Sequence, residues 1–449
     1  MSVWSASVVF TVCIVVSSGM AADTAALTSP AVGPIPHAVT ADIQAGIEAH
    51  IAKETEQGGG YFPLTYNGKD MKLKLVRVHT EYLANLGPGR HFACVDLASQ
   101  DGNVYDVDFF LEGEPGDMRV TETTVHKLNG RPYYLWRQQD DGTWVHAEVD
   151  GASQELLGVI EGDDAFEFVY NATVPELAAN GRMWIPMPES DEFQTVKAKS
   201  ITIPGKHRIL TDKSHGNKVM FIELTPADSG KSISMVFDVT RHEKGVYGSG
   251  EESTAEFLLP ERLVPNTNNF KEIATEAIKN KRGGDLVKAR ALYDHTIDRM
   301  QYIKADKKYG KGDAQYACDS GSGNCTDYHS YFIALSRSVG IPARFAIGAA
   351  IPSSRDDGGV SGYHCWAEFY AEGKWWPVDI SEADKYTSLA TYYFGHNPAN
   401  RIELSRGRDL VVEPGPESGP INFLAYPVLE VNGKLVKVAK PKFGFTRKS

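Results

Sequence analysis

The spacing of hydrophobic positions changes character twice along the chain, and each change predicts a different kind of element. Ile43, Ile47 and Ile51 fall four apart, the stripe of an amphipathic helix, before Gly58-Gly59-Gly60 breaks it. Alternating segments follow at Leu73–His79, Phe92–Leu97 and Val104–Phe110, with Asp101-Gly102-Asn103 as the turn between the last two. Thr123–Lys127 and Tyr133–Trp136 continue the series, so residues 41–150 read as a small α+β unit, one helix plus an antiparallel sheet. Residues 151–248 read as mostly β after a short helical patch. Val196–Ile203 alternates, and Val219–Leu224 and Ile233–Val239 flank the turn Pro226–Gly230, the pattern of a β-sandwich-like unit. Neither unit shows a cluster of nucleophilic residues, and no chemistry is assigned to them. His79, His91 and His126 share no ligand spacing, so they read as structural or surface residues rather than metal ligands.

From residue 249 the period turns helical. Phe270, Ile273, Ala274, Ala277 and Ile278 make one face, and Gly283-Gly284 ends it. Asp285 caps a second helix striped by Leu286, Ala289, Leu292, Tyr293, Ile297 and Met300. A polar, glycine-rich loop then leads into Gly323-Asn324-Cys325-Thr326-Asp327-Tyr328-His329. Asn324 is a good N-cap, Asp327 places negative charge at the helix start, and Gly340 with Pro342 ends the helix. Cys325 therefore lies on a first turn beside unpaired backbone N–H groups, which favour thiolate, the nucleophilic form.

Downstream, aromatic-rich runs on either side of Ala371-Glu372-Gly373-Lys374 predict a hairpin. A loop at Glu372-Gly373 sets Trp366 opposite Asp379 and leaves His364 diagonal to it. A loop at Ala371-Glu372 sets His364 directly opposite. Either register joins a histidine to a carboxylate on one face. A second hairpin, Val428–Val438, turns at Asn432-Gly433 and closes a unit spanning 249–449.

The runs Gly-Asn-Cys-Thr-Asp-Tyr-His at 323–329, Tyr-His-Cys-Trp-Ala-Glu-Phe at 363–369 and Trp-Trp-Pro-Val-Asp at 375–379 resemble the transglutaminase-like superfamily. That family lies within the papain-like cysteine enzymes, and the resemblance covers roughly residues 250 to 420. It implies an α+β papain-like core with Cys325 as nucleophile, His364 as base and Asp379 as orienter. It also implies acyl transfer on protein or peptide amides through a thioester, to an amine or to water. Gln315, Tyr316 and Trp366 are candidates for the second oxyanion donor or substrate contacts. Trp375 and Trp376 are candidates for lining a groove, with core the better reading for Trp376.

Composition narrows the setting. With 58 Asp+Glu against 46 Lys+Arg, the acidic balance argues against nucleic acid or an anionic membrane as main partner. Residues 1–21 read as a signal peptide, the alternative being an uncleaved anchor, and 22–40 as a linker. A periplasmic or extracellular location is expected, with no membrane span in the mature chain. Export leaves Cys94, Cys318, Cys325 and Cys365. Keeping the nucleophile free makes Cys318–Cys365 the candidate disulfide, a Cys318–Cys325 loop being the alternative, and Cys94 an inert buried thiol.

Two rival functions use the same residues. Cys318, Cys325, His329, His364 and Cys365 suit zinc by type, but Cys-x₆-Cys is unusual spacing, and His364 and Cys365 should project to opposite strand faces. His329 is read as a core or helix-surface residue. A non-catalytic scaffold for a secreted assembly is the other rival. No EF-hand loop is present, so neither calcium nor any other cofactor is expected.

Overall fold

The computed structural model describes residues 38–66, 68–138, 144–147, 158–250, 253–304, 308–385 and 389–448. The signal segment, most of the linker and the boundary near residue 150 lie outside them. No helix among the described residues is long and apolar enough to cross a membrane.

Helix α1 (Thr40–Gln57) buries Ile43, Ile47 and Ile51 against an antiparallel sheet. The sheet runs Phe62–Tyr66, Lys69–Val78, Arg90–Ser99, Val104–Glu112, Arg119–Leu128 and Arg131–Pro132, with Ala84–Gly87 also paired to Arg90–Ser99. Ala93, Val95, Leu97, Val107, Phe109 and Leu111 meet the helix in one core. Strand alternation turns Cys94, Asp96, Asp106 and Asp108 to the opposite face, yet these four are buried as well.

Two five-stranded sheets form the middle of the molecule. One runs Gln194–Thr202, Ser232–His242, Asp163–Thr173, Lys442–Arg447, Asp357–Val360. The other runs Lys206–Thr211, Lys218–Leu224, Gly181–Met187, Val428–Val431, Lys434–Val436. Phe166, Phe168, Met183, Ile222, Met235 and Phe443 join one apolar core. This corrects the division at residue 248. The hairpin that turns with positive φ at Asn432 and Gly433 leaves the C-terminal unit and pairs with Gly181–Trp184. The last strand pairs with Phe166–Asn171. Apolar burial accompanies this pairing: Leu429, Phe443 and Phe445 are buried in the core that contains Phe166, Phe168 and Met183.

The remaining chain packs α2 (Asn268–Ala277), α3 (Asp285–Arg299) and α5 (Cys325–Ser338), joined by the short α4 (Ala314–Ser320), onto a further, four-stranded antiparallel sheet. Its order is Lys374–Val378, His364–Ala371, Ala343–Ala350, Arg401–Arg406. Two features fix this sheet. At Gly348 an added Cβ would lie 1.7 Å from the Ile402 carbonyl oxygen, so only glycine permits the bulged pairing there. Glu368, buried, takes Lys244 Nζ at 2.6 Å, Arg344 Nε at 2.7 Å and the Tyr247 hydroxyl at 2.7 Å. That carboxylate ties the sandwich to the strand carrying His364.

Candidate active site

Asn324 begins α5 as the spacing predicted. Its Oδ1 accepts the Thr326 N–H at 3.0 Å, while Asp327 Oδ2 accepts the Asn324 N–H at 3.0 Å. Asp327 also accepts the N–H groups of Gly310 at 2.7 Å and Gly312 at 3.1 Å, strapping the preceding loop to the helix start. Burial pushes its carboxyl up to about 6 against those three donors. Gly323 is required beside it, because a Cβ there would stand 2.4 Å from Asp327 Cβ.

The Glu372-Gly373 loop sets the hairpin register, with Ala371 opposite Lys374 and Ala367 opposite Val378. Of the two registers considered, this is the one that leaves His364 diagonal to Asp379. Both loop residues have positive φ, matching a type I′ turn. His364 Nε2 lies 2.6 Å from Asp379 Oδ2, and the same imidazole hydrogen-bonds the Cys325 sulfur. All three side chains are buried.

The electrostatics are those of an ion pair. Burial alone would lower His364, but the Asp379 carboxylate and the Cys325 sulfur raise it to about 10. Burial alone would raise Cys325, but hydrogen bonds from Cys365 and His364 and the charge of His364 hold it well below the ordinary thiol range. Cys365 itself is driven up, first by burial and then by donating to Cys325, so it remains a thiol. Asp379 also accepts Ser381 Oγ and the Glu382 N–H, both at 3.2 Å, and has Arg401 3.9 Å away.

His329 is a buried core histidine, as one of its two expected readings had it, and it also borders this centre. Its Nε2 accepts the Ile380 N–H at 3.0 Å, so the proton resides on Nδ1, which donates to the Cys325 carbonyl at 2.7 Å. His329 is thus a neutral strut between the turn carrying Cys325 and the residue after Asp379. Burial keeps it neutral by lowering its pKa. The only advance signal was its position four residues after Cys325. Tyr363 was also missed. Its hydroxyl accepts from Asn324 Nδ2 at 3.1 Å and donates to the Gly310 carbonyl at 3.3 Å, closing the wall beside Cys325.

The other candidate residues lie as follows. The Gln315 amide donates to Asp319 at 2.7 Å instead of turning to the thiol. Tyr316 sits on the same short helix, its N–H on Asp313 at 3.2 Å. Trp366 is buried with its ring 6.4 Å from that of His364, and its Nε1 has no hydrogen-bond partner. Trp375 and Trp376 are both core: Trp375 carries the Arg344 guanidinium 3.8 Å above its ring, and Trp376 stacks on Phe369.

The Cys318–Cys365 disulfide is absent, and all four cysteines of the described residues are free thiols. Cys318 faces Asn269 at 3.7 Å, whereas Cys365 lies against His329 at 3.7 Å and Cys325. His364 and Cys365 do leave the strand on opposite faces, but both reach Cys325. His364 is the strand's first residue.

A helix-borne thiol, a strand histidine and a carboxylate directly after the neighbouring strand define a papain-like core. Residues 271–380 match the family model of the transglutaminase-like superfamily, and the C-terminal half carries a transglutaminase-like core. An uncharacterised protein of Haemophilus influenzae is 29% identical over 329 residues, covering 62% of this chain and 88% of that protein. A solved structure from Cytophaga hutchinsonii, named as a candidate cysteine protease, is 15% identical with a TM-score of 0.45 over 64% of this chain and 99% of its own. A candidate protease from Parabacteroides distasonis is 11% identical with a TM-score of 0.22, covering 64% of this chain and 63% of its own.

Proposed function

We propose that this protein catalyses acyl transfer on peptide or protein amides, with Cys325 as nucleophile, His364 as acid–base and Asp379 as orienter. The observation that carries the proposal is the shared imidazole: His364 meets Asp379 at 2.6 Å and also hydrogen-bonds the Cys325 sulfur. The thiolate attacks the amide carbonyl, and the imidazolium protonates the departing amine, leaving a thioester. The Cys325 N–H at the start of α5 stabilises the developing oxyanion. Water or an amine then takes the acyl group, giving hydrolysis or transamidation. Export to a periplasmic or extracellular site and a protein or peptide substrate belong to the same proposal.

The test incubates the protein and its Cys325→Ala variant with a peptide mixture, with and without an amine probe, and reads products by mass spectrometry. Cleavage or deamidation identifies water as acceptor, and probe incorporation identifies an amine. No product from either protein sinks the proposal. Cys325 is only 2% exposed, and this enclosure favours a second reading, a non-catalytic binding protein. A Cys325→Ser variant separates the two, since a binder retains its partner and an enzyme loses turnover.

A further inference from the structure

The polar face of the N-terminal sheet holds a second cluster of chemistry-bearing side chains. His79 sits opposite Cys94, its N–H donating to the Cys94 carbonyl at 3.0 Å, and Asp106 pairs with Asp96, two residues along from Cys94. One donor atom from each of His79, Cys94 and Asp106 lies within 4.8 Å of the others. The three residues are 8%, 3% and 4% exposed.

Two features set the cluster apart from an ordinary ionic network. His79 Nε2 is buried without a well-aligned hydrogen bond and forms an ion pair with Asp96 Oδ1 at 3.1 Å, while its Nδ1 meets Glu81 at 3.2 Å. Lys127 Nζ occupies Asp106 Oδ2 at 2.9 Å and leaves Oδ1 facing Cys94 Sγ, only 2.8 Å away. An imidazole nitrogen, a sulfur and a carboxylate oxygen converge from three adjacent strand positions.

We infer that His79, Cys94 and Asp106 form a structural site for a divalent cation of the zinc class. Nitrogen and sulfur donors beside one carboxylate suit zinc or cobalt and disfavour calcium and magnesium, which take oxygen ligands. Binding breaks the Cys94 S–H bond and forms a metal–sulfur bond. The metal also takes the place of the proton that His79 shares with Asp96; both protons leave to water, and no electrons change hands. His126 Nδ1, 3.7 Å from both Asp106 Oδ1 and Asp108 Oδ2, borders the ligand carboxylate. Asp96 joins the same face to α3 through Arg290 at 3.1 Å. The ion would therefore brace the sheet where it meets the catalytic half.

The test titrates cobalt(II) into full-length protein stripped with EDTA, in a Cys325→Ala background that removes the other candidate thiolate. The expected result is one bound cobalt with a near-ultraviolet thiolate-to-cobalt band. That band disappears in Cys94→Ser, and Asp106→Asn weakens binding by on the order of tenfold or more. Should Cys94→Ser fail to fold, zinc is added to the unvaried protein instead. Alkylation of Cys94 by N-ethylmaleimide, located by peptide mass spectrometry, should then slow by a similar factor. Absence of the band, its survival in Cys94→Ser, or Cys94 alkylation indifferent to zinc overturns the inference.

Discussion

Replacing Asp379 by Asn keeps the shape of the side chain and removes its charge 2.6 Å from His364. Unit charges about 4 Å apart interact by about 4 kcal/mol at an effective dielectric near 20. One pKa unit corresponds to about 1.36 kcal/mol, so His364 should fall by roughly 3 units. It starts at about 10, raised against its burial by Asp379 and Cys325, and should therefore drop to about 7 or lower. The direction of the pH effect follows. In the native protein the imidazolium persists until pH passes about 10, so activity rises as Cys325 ionises and falls only on that alkaline limb. In Asp379→Asn the alkaline limb moves down to near neutrality, and turnover drops by up to about four orders of magnitude. Where turnover becomes too slow to profile, the rate of Cys325 alkylation by iodoacetamide reports the same linkage. Losing its imidazolium partner, the thiol should ionise closer to the free value of about 8.5. An alkylation profile unchanged between Asp379→Asn and the native protein would refute the reasoning.

Three further outcomes test the scaffold around the site. Glu368→Ala strands the buried Lys244 and the largely buried Arg344, and should destabilise the protein by about 3–5 kcal/mol in urea unfolding, with Cys325 labelling intact below the transition. Gly348→Ala forces a methyl group into the Ile402 carbonyl and should cost at least about 2 kcal/mol or prevent folding, read by thermal unfolding. His329→Ala leaves the Cys325 carbonyl and the Ile380 N–H without their partner, costing about 2–3 kcal/mol. His329→Gln, which can both donate and accept, should recover part of that stability and of the Cys325 labelling rate.

Local rules carried much of this architecture. The cap Asn324 and its partner Asp327 are satisfied within a few residues, so the helix start could be read directly, while the hairpin was narrowed to two registers that both join His364 to Asp379. Long-range pairing was less legible. Phe443 and Phe445 look the same whether their partners lie in the catalytic half or in the sandwich. Only the assembled sheets show Lys442–Arg447 beside Asp163–Thr173. The Cys318–Cys365 expectation failed similarly, because nearness to the cysteine helix in sequence said nothing of direction: Cys318 turns toward Asn269 and Cys365 toward Cys325.

The least legible part of the site is its charge balance, and burial makes that balance strict. A Cys325 thiolate, a His364 imidazolium and the Asp379 carboxylate sum to one negative charge in a region nearly closed to water. Desolvation would penalise that excess heavily. Arg401, from the far edge of the sheet, stands 3.9 Å from Asp379 and supplies the missing positive charge. With Arg401 in place a second imidazolium would leave the site with an excess positive charge, which is consistent with His329 being fixed as a neutral acceptor by the Ile380 N–H. Cys365 completes the set by donating its S–H to Cys325 while remaining neutral. Arg401, His329 and Cys365 are each unremarkable in their own stretches of sequence. Their roles exist only because α5, the His364 strand and the Arg401 strand converge on one buried sulfur.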